Sequence, residues 1–466
     1  MSRLVGCRML VFVAVFSFIA LAASAQTFTK LAGFNGTDGA NPYVGLTQGR
    51  DGNLYGTTID GGAYGAGNVF KISARGKLTS LYDFCAQTNC PDGQYPDTVL
   101  ALGMDGNFYG TTQSGGMTNN GTVFKITADG QLTTLYSFDG NDGSAPYGSM
   151  VLTANGDFYG TTNVGGAFGG GNVFKITPNG VLTTLYTFCS QSGCTDGEYP
   201  VGPLIQGSDG NIYGTTHAGG NSSCTDGCGT VFTITPSGTL TTLHEFNASD
   251  GEYPYGGVVE GPKGSLYGTT GGGGANDAGT VFAMASNGRF ATLHSFDVTD
   301  GATPYALMRA SDGNFYGTTS AGGSNSRGTV FKITPRGRLT SLHSFEGSDG
   351  ALVYAGLTQG TNGLFYGTTY FGGKEDDGTV FSLDVGLGPF VTFVVPAAKT
   401  GEVFGILGQG FHGTTSVLLN GTAAQFKVVS GTYIEARVPA GAGTGYIKVS
   451  TPSGTLTSNI PFHVIP

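Results

Sequence analysis

The tetrapeptide YGTT occurs seven times, beginning at Tyr55, Tyr109, Tyr159, Tyr213, Tyr267, Tyr316 and Tyr366. Successive copies are 54, 50, 54, 54, 49 and 50 residues apart. A fixed period of this length means that one supersecondary unit is repeated and that each copy needs its neighbours to bury a face. The three longest steps are the ones that hold a pair of cysteines. The extra residues therefore read as insertions in surface loops.

Within a unit, four short runs rich in Val, Ile, Thr, Tyr and Phe are separated by turn residues. In the third unit, run a is YGSMVLT, and the turn Asn155-Gly156 leads to run b, FYGTT. A glycine-rich loop leads to run c, NVFKIT, and Pro178-Asn179-Gly180 leads to run d, LTTLYTF. Asn-Gly and Asp-Gly between such runs are strong hairpin signals, because both central positions favour positive φ. No segment carries a 3.6-residue period, so helices should be few. Four antiparallel strands repeated seven times predict an all-β, seven-bladed β-propeller of four-stranded blades, followed by a small immunoglobulin-like β-sandwich. A seventh copy of run d, Phe28 to Phe34, precedes the first run a, while the last unit stops after run c at Val380 to Leu383. The beginning of the propeller is thus expected to supply the outer strand of the last blade.

Composition fits this reading. Glycine accounts for 84 residues, Trp is absent, and charged residues are 11% against roughly 25% in an ordinary globular chain. With 39% hydrophobic residues, 22 Tyr and 31 Phe, the chain has the means to build a core, which argues against disorder. The net charge of −10 has no basic patch, so nucleic acid is excluded as an expected partner.

At the N-terminus, Arg3 and Arg8 flank an apolar run at 10–23 that ends in Ala23-Ser24-Ala25. This predicts a signal peptide over 1–25, followed by the propeller over 26–385 and the sandwich over 389–466. A lipobox at Leu4-Val5-Gly6-Cys7 is rejected, because the apolar stretch follows Cys7 instead of preceding it. After cleavage no segment is expected to enter the membrane, and the mature protein should be secreted, periplasmic or on the cell surface, as a monomer. Six cysteines then remain, as Cys85/Cys90, Cys189/Cys194 and Cys224/Cys228. In an exported chain these read as three local disulfides in preference to metal ligands.

The units resemble the bacterial Gloeo-Verruco (GloVer) tandem-repeat family. The likeness rests on YGTT, the Gly-Gly that follows each Tyr, the G-[TN]-V-F run and the next L-T-[TS]-L-[YH]-x-F, over roughly 28–384. The resemblance implies export and a propeller-like repeat, and it lends no catalytic residues. A kelch propeller shares the Gly-Gly and the period, but its Trp has no counterpart here. Beyond Gly386-Leu387-Gly388-Pro389 the pattern stops. Gly408-Gln409-Gly410-Phe411, Asn420-Gly421, Val438-Pro439 and Thr451-Pro452-Ser453-Gly454 resemble the TIG/IPT immunoglobulin-like family, whose modules imply a spacer or adhesive unit.

The loops between runs b and c vary most, so the face they share with the d–a loops is the expected ligand face. Tyr64, Phe168, His217, Tyr370 and Lys374 are the ligand-binding candidates on it. An Asp-Gly recurs in every d–a connection (Asp38, Asp92, Asp142, Asp196, Asp250, Asp300 and Asp349) and reads as a turn cap in preference to a Ca²⁺ ligand. His244, His294 and His343 replace run-d tyrosines, which suggests packing. No metal, cofactor or catalytic residue is expected. The predicted function is an exported, non-catalytic binding or scaffold protein for an extracellular glycan or protein. The alternative is a polysaccharide lyase or hydrolase acting at the central funnel, which would need several carboxylates, or a His/Tyr/Arg set, converging there.

Overall fold

A computed structural model of the chain describes residues 26–220 and 222–465; the signal peptide expected over 1–25 lies outside them. Seven four-stranded antiparallel sheets follow the seven units. The first comprises Thr47–Gln48, Leu54–Thr58, Asn68–Ile72 and Leu78–Asp83, from the axis outward. The last comprises Thr358–Gln359, Phe365–Thr369, Thr379–Asp384 and, as its outermost strand, Thr27–Gly33. That outer strand pairs from Thr27 opposite Asp384 to Gly33 opposite Thr379, with a bulge between Lys30 and Ala32. The ring therefore closes by main-chain hydrogen bonds between the two ends of the propeller, which removes an exposed sheet edge.

The four residues of YGTT each answer a different packing demand. In four blades the tyrosine ring stacks on a phenylalanine of the next blade, as in Tyr55 on Phe108 and Tyr109 on Phe158, with 4.1 Å between centroids; Ile212, Leu266 and Leu54 take that place for the other three. In four blades its hydroxyl donates to the aspartate of its own a–b turn, for example Tyr55 to Asp51 at 2.9 Å. The glycine makes room for the run-c phenylalanine across the sheet. A Cβ there would lie between 2.5 and 2.7 Å from the ring carbon Cζ in all seven blades. In six blades the first threonine bridges to the next blade, as in Thr57 to the Thr98 carbonyl at 3.1 Å and Thr318 to the Ala355 carbonyl at 2.8 Å. The second is buried within its own sheet, where Thr112 meets Thr122 at 2.8 Å and Thr369 meets Thr379 at 2.9 Å.

Run a differs from the expected full strand. In six blades only two or three of its residues pair regularly, and the sixth blade alone has a long inner strand, Ala302–Arg309. A kink lies just upstream of this pairing in every blade, the sixth included. Asn41, Tyr95, Ala145, Tyr199, Tyr253, Thr303 and Leu352 all have φ between 49° and 57°, although none is glycine. Each N–H donates to a carbonyl of the preceding blade at 2.8 to 3.1 Å, as in Asn41 to Asp377 and Tyr95 to Ala66. Such a conformation costs on the order of 1–3 kcal/mol and persists only where neighbours hold it. Here it turns the chain so that the second residue along faces the ring axis.

The C-terminal segment is a sandwich. One sheet is built from Thr392–Phe393, Val403–Leu407, Tyr433–Arg437 and Phe426–Val428. The other is built from Thr422–Ala423, Ser416–Leu419, Ile447–Thr451 and Gly454–Thr457. The implied spacer role is at odds with how it sits, because the sandwich packs on the a–b turns of the propeller. Thr432 donates to the Arg50 carbonyl at 2.5 Å, and Gln409 donates to the Thr361 hydroxyl at 2.8 Å. The Arg50 guanidinium lies 4.3 Å above the Tyr433 ring. The sandwich core is continuous with that of the third blade.

Candidate binding site at the channel mouth

A cavity of about 1020 Å³ follows the ring axis. Its floor is the sandwich, through Phe393, Val394, Pro396 and Leu407. Its walls come from run a of each blade and combine small or apolar residues, such as Gly45, Val99, Met150 and Ala306, with the polar side chains of Gln48, Gln206 and Gln359. With the floor covered, the loop face is the way in.

The residue after the kink decides what stands at that mouth. In blade order it is Tyr43, Asp97, Tyr147, Val201, Tyr255, Tyr305 and Tyr354. A second position, the residue that follows YGTT, adds Gln113 and Tyr370 to the lining. Six tyrosines from five blades therefore rim the channel. Tyr43 stacks on Tyr354 at 4.7 Å between centroids, and Tyr255 stacks on Tyr305 at 5.4 Å. The hydroxyls of Tyr43 and Tyr305 meet at 3.4 Å, which joins the first blade to the sixth. Burial, followed by the neighbouring phenol and the charge of Asp97, holds Tyr43 well above the usual phenol range, so it is a neutral donor and acceptor. Gln113 donates from its amide to the Tyr147 hydroxyl.

Asp97 breaks the ring of tyrosines. It is 4% exposed, and its Oδ1 is buried without a hydrogen bond. Burial pushes its carboxyl up to about 7. No Lys or Arg is among the described residues lining the cavity, so the protein supplies no counter-charge there.

Of the ligand candidates read from the sequence, Tyr370 lines the cavity. His217 stands beside it, stacked between Tyr253 and Tyr255 at 4.8 Å from each, and burial lowers its pKa. Tyr64 and Phe168 project from loop tips, 57% and 58% exposed, and Lys374 pairs with Glu375 at 2.6 Å on another. These last three do not join the cavity. The rim itself was missed. Its signal was the dipeptide Pro-Tyr at 42–43, 146–147, 254–255 and 304–305, with Pro96-Asp97, Pro200-Val201 and Val353-Tyr354 as the departures.

The repeated aspartates are consumed by structure. Asp300 accepts from the Asp297 N–H at 3.1 Å and contacts His294 Nε2 at 2.8 Å. Asp196 accepts from the Ser190 N–H at 2.9 Å and from the Tyr186 hydroxyl at 2.8 Å. The Tyr/His exchange in run d thus preserves a donor to this carboxylate as well as a ring that packs. The cysteines form three disulfides, Cys85–Cys90, Cys189–Cys194 and Cys224–Cys228. Glu198 and Glu252 lie near two of them, but bonded sulfurs leave no thiolate for a metal.

The family model described as the Gloeobacter/Verrucomicrobia repeat matches residues 15–224, 191–381 and 285–414. The IPT/TIG domain model matches residues 389–464. Among curated proteins none matches. Among solved structures, virginiamycin B lyase from Staphylococcus aureus is similar over 77% of this chain and 98% of its own, at 16% identity and a TM-score of 0.51. A fungal alcohol oxidase of the AA5 family, in complex with copper, is similar over 94% of this chain and 99% of its own, at 13% identity and a TM-score of 0.52. The extracellular domain of a one-component system from B. thetaiotaomicron is similar over 95% of this chain and 58% of its own, at 10% identity and a TM-score of 0.51. At these identities the likeness is one of fold alone.

Proposed function

The chain belongs to the Gloeobacter/Verrucomicrobia repeat family, and from that premise we propose that it is an exported, non-catalytic receptor that holds an extracellular saccharide at the channel mouth. The observation that carries this reading is the rim of six tyrosines around one blind cavity. Phenol rings offer flat apolar faces with a polar edge, the combination that sugar rings with alternating C–H and O–H surfaces require. The three disulfides accord with an oxidising compartment. A hydrolase would need a second carboxylate beside the first, and Asp97 is the one acidic side chain among the described residues lining the cavity.

The test is titration calorimetry of the full chain against neutral oligosaccharides of three to six units. Binding is expected for at least one backbone linkage. Tyr43→Ala and Tyr354→Ala should weaken it by about tenfold each, in line with loss of an aromatic contact. Release of shortened or unsaturated products during the titration would overturn the non-catalytic reading, and binding that both substitutions leave unchanged would overturn the placement of the saccharide at the channel mouth.

A further inference from the structure

We infer that Asp97 is a charge-recognition residue and that the mouth takes a ligand carrying a protonated amine. The inference rests on the proposed binding site and specifies its chemistry. A buried carboxylate is normally paired, because stripping water from an ion costs several kcal/mol unless hydrogen bonds or an opposite charge replace it. Asp97 has no such partner. Its Oδ1 is buried without a hydrogen bond, its side chain borders the cavity, and the cavity wall holds no Lys or Arg among the described residues. The counter-charge is therefore left to whatever enters.

The surroundings favour an ammonium over a metal ion. Tyr43 and Tyr305 bring their hydroxyls together at 3.4 Å near this carboxylate, and the Tyr147 and Tyr370 phenols lie close enough to feel its charge. Neutral phenol oxygens accept hydrogen bonds from N–H groups, and the ring faces attract a cation. A hard divalent ion would demand several carboxylate or carbonyl oxygens, and among the described residues lining the cavity Asp97 is the one carboxylate. The position is also individual to its blade. The kink places tyrosine at the equivalent point in five blades and Val201 in the fourth, so the fold does not require an acid there.

The experiment uses matched probes at pH 8 with the full chain: aminoethyl and hydroxyethyl cellotetraoside, and hexylamine with hexanol. The amine should bind roughly tenfold more tightly than its hydroxyl twin, as a charge-assisted hydrogen bond predicts. Asp97→Asn should erase that preference. Asp97→Val, which copies the fourth blade, should do the same and serves if Asn packs poorly. Equal binding of both cellotetraosides, or a preference that survives both substitutions, overturns the inference while the saccharide reading stands. Asp97-dependent binding of hexylamine with neither cellotetraoside bound supports the inference and removes the saccharide reading. Failure of all four probes to bind overturns the inference as well.

Discussion

The wedge between blades and the mouth of the channel are built from the same seven units, yet they obey different rules. In the wedge YGTT is kept in every copy, and each tyrosine packs on the apolar residue at one fixed position of the adjoining blade, Phe, Ile or Leu. At the mouth the side chains also reach past the adjoining blade, Tyr43 meeting Tyr305 of the sixth as well as Tyr354 of the seventh, so each faces a partner that its own repeat does not encode. Uniformity is therefore the mark of packing, and departure from it is the mark of a site. Asp97 departs furthest, as the one acidic residue in a ring of tyrosines.

Four changes would break or sharpen this contrast. Deleting residues 26–34 removes a whole outer strand and reopens the ring. The expected outcome is loss of the cooperative thermal transition, read by circular dichroism; an unchanged melt would mean that ring closure adds nothing.

Asp97→Asn comes next. Folding raises this carboxyl to about 7 from an ordinary value near 3.9, so the native state holds a proton that the unfolded chain releases. Stability is therefore full below about pH 4 and falls as the pH climbs towards 7. The substitution should gain up to about 4 kcal/mol at pH 8 and little at pH 4, measured by urea unfolding at both. An equal gain at both values would show that the carboxyl is not held neutral by burial.

Gly160→Ala tests the wedge. Its new Cβ would stand 2.6 Å from the Phe174 ring and 3.0 Å from Met150 Cγ. A loss of about 1–3 kcal/mol is expected, with saccharide affinity per folded molecule unchanged. Altered affinity would show that wedge and mouth are coupled.

The smallest effect belongs to run d. His294→Tyr should shift stability by less than about 0.5 kcal/mol, since tyrosine keeps a donor to Asp300, whereas His294→Phe should cost about 1 kcal/mol. Equal stability of the two variants would reduce the exchange to packing.

The blades were legible because their cues are local: a turn at Asn155-Gly156, alternating apolar residues, a period that repeats. The closing strand was legible because Phe28 to Phe34 repeats run d out of order. What stayed hidden was relational. Nothing in Pro-Tyr alone says that a kink at the residue before it turns the tyrosine to the axis. That depends on the Asn41 N–H finding the Asp377 carbonyl, a partner far along the chain. The covered floor was hidden for the same reason, because Thr432 and Arg50 share no pattern. Variable loops drew attention to Tyr64 and Phe168 on their tips as well as to Tyr370, and of these Tyr370, at a loop root like Gln113, borders the cavity.

The pairing of Thr27–Gly33 with Thr379–Asp384 also sets a timetable. The first strand to emerge waits for the last blade before it finds its place. Contacts this distant in sequence are slow to form, because the intervening chain must order first. Until then the seventh sheet has an open edge that a second molecule's leading strand would fit equally well. The same latch, once shut, slows escape: unravelling from either end of the ring must first peel a full-length strand from its neighbour, so the finished molecule should outlast its modest count of charged contacts.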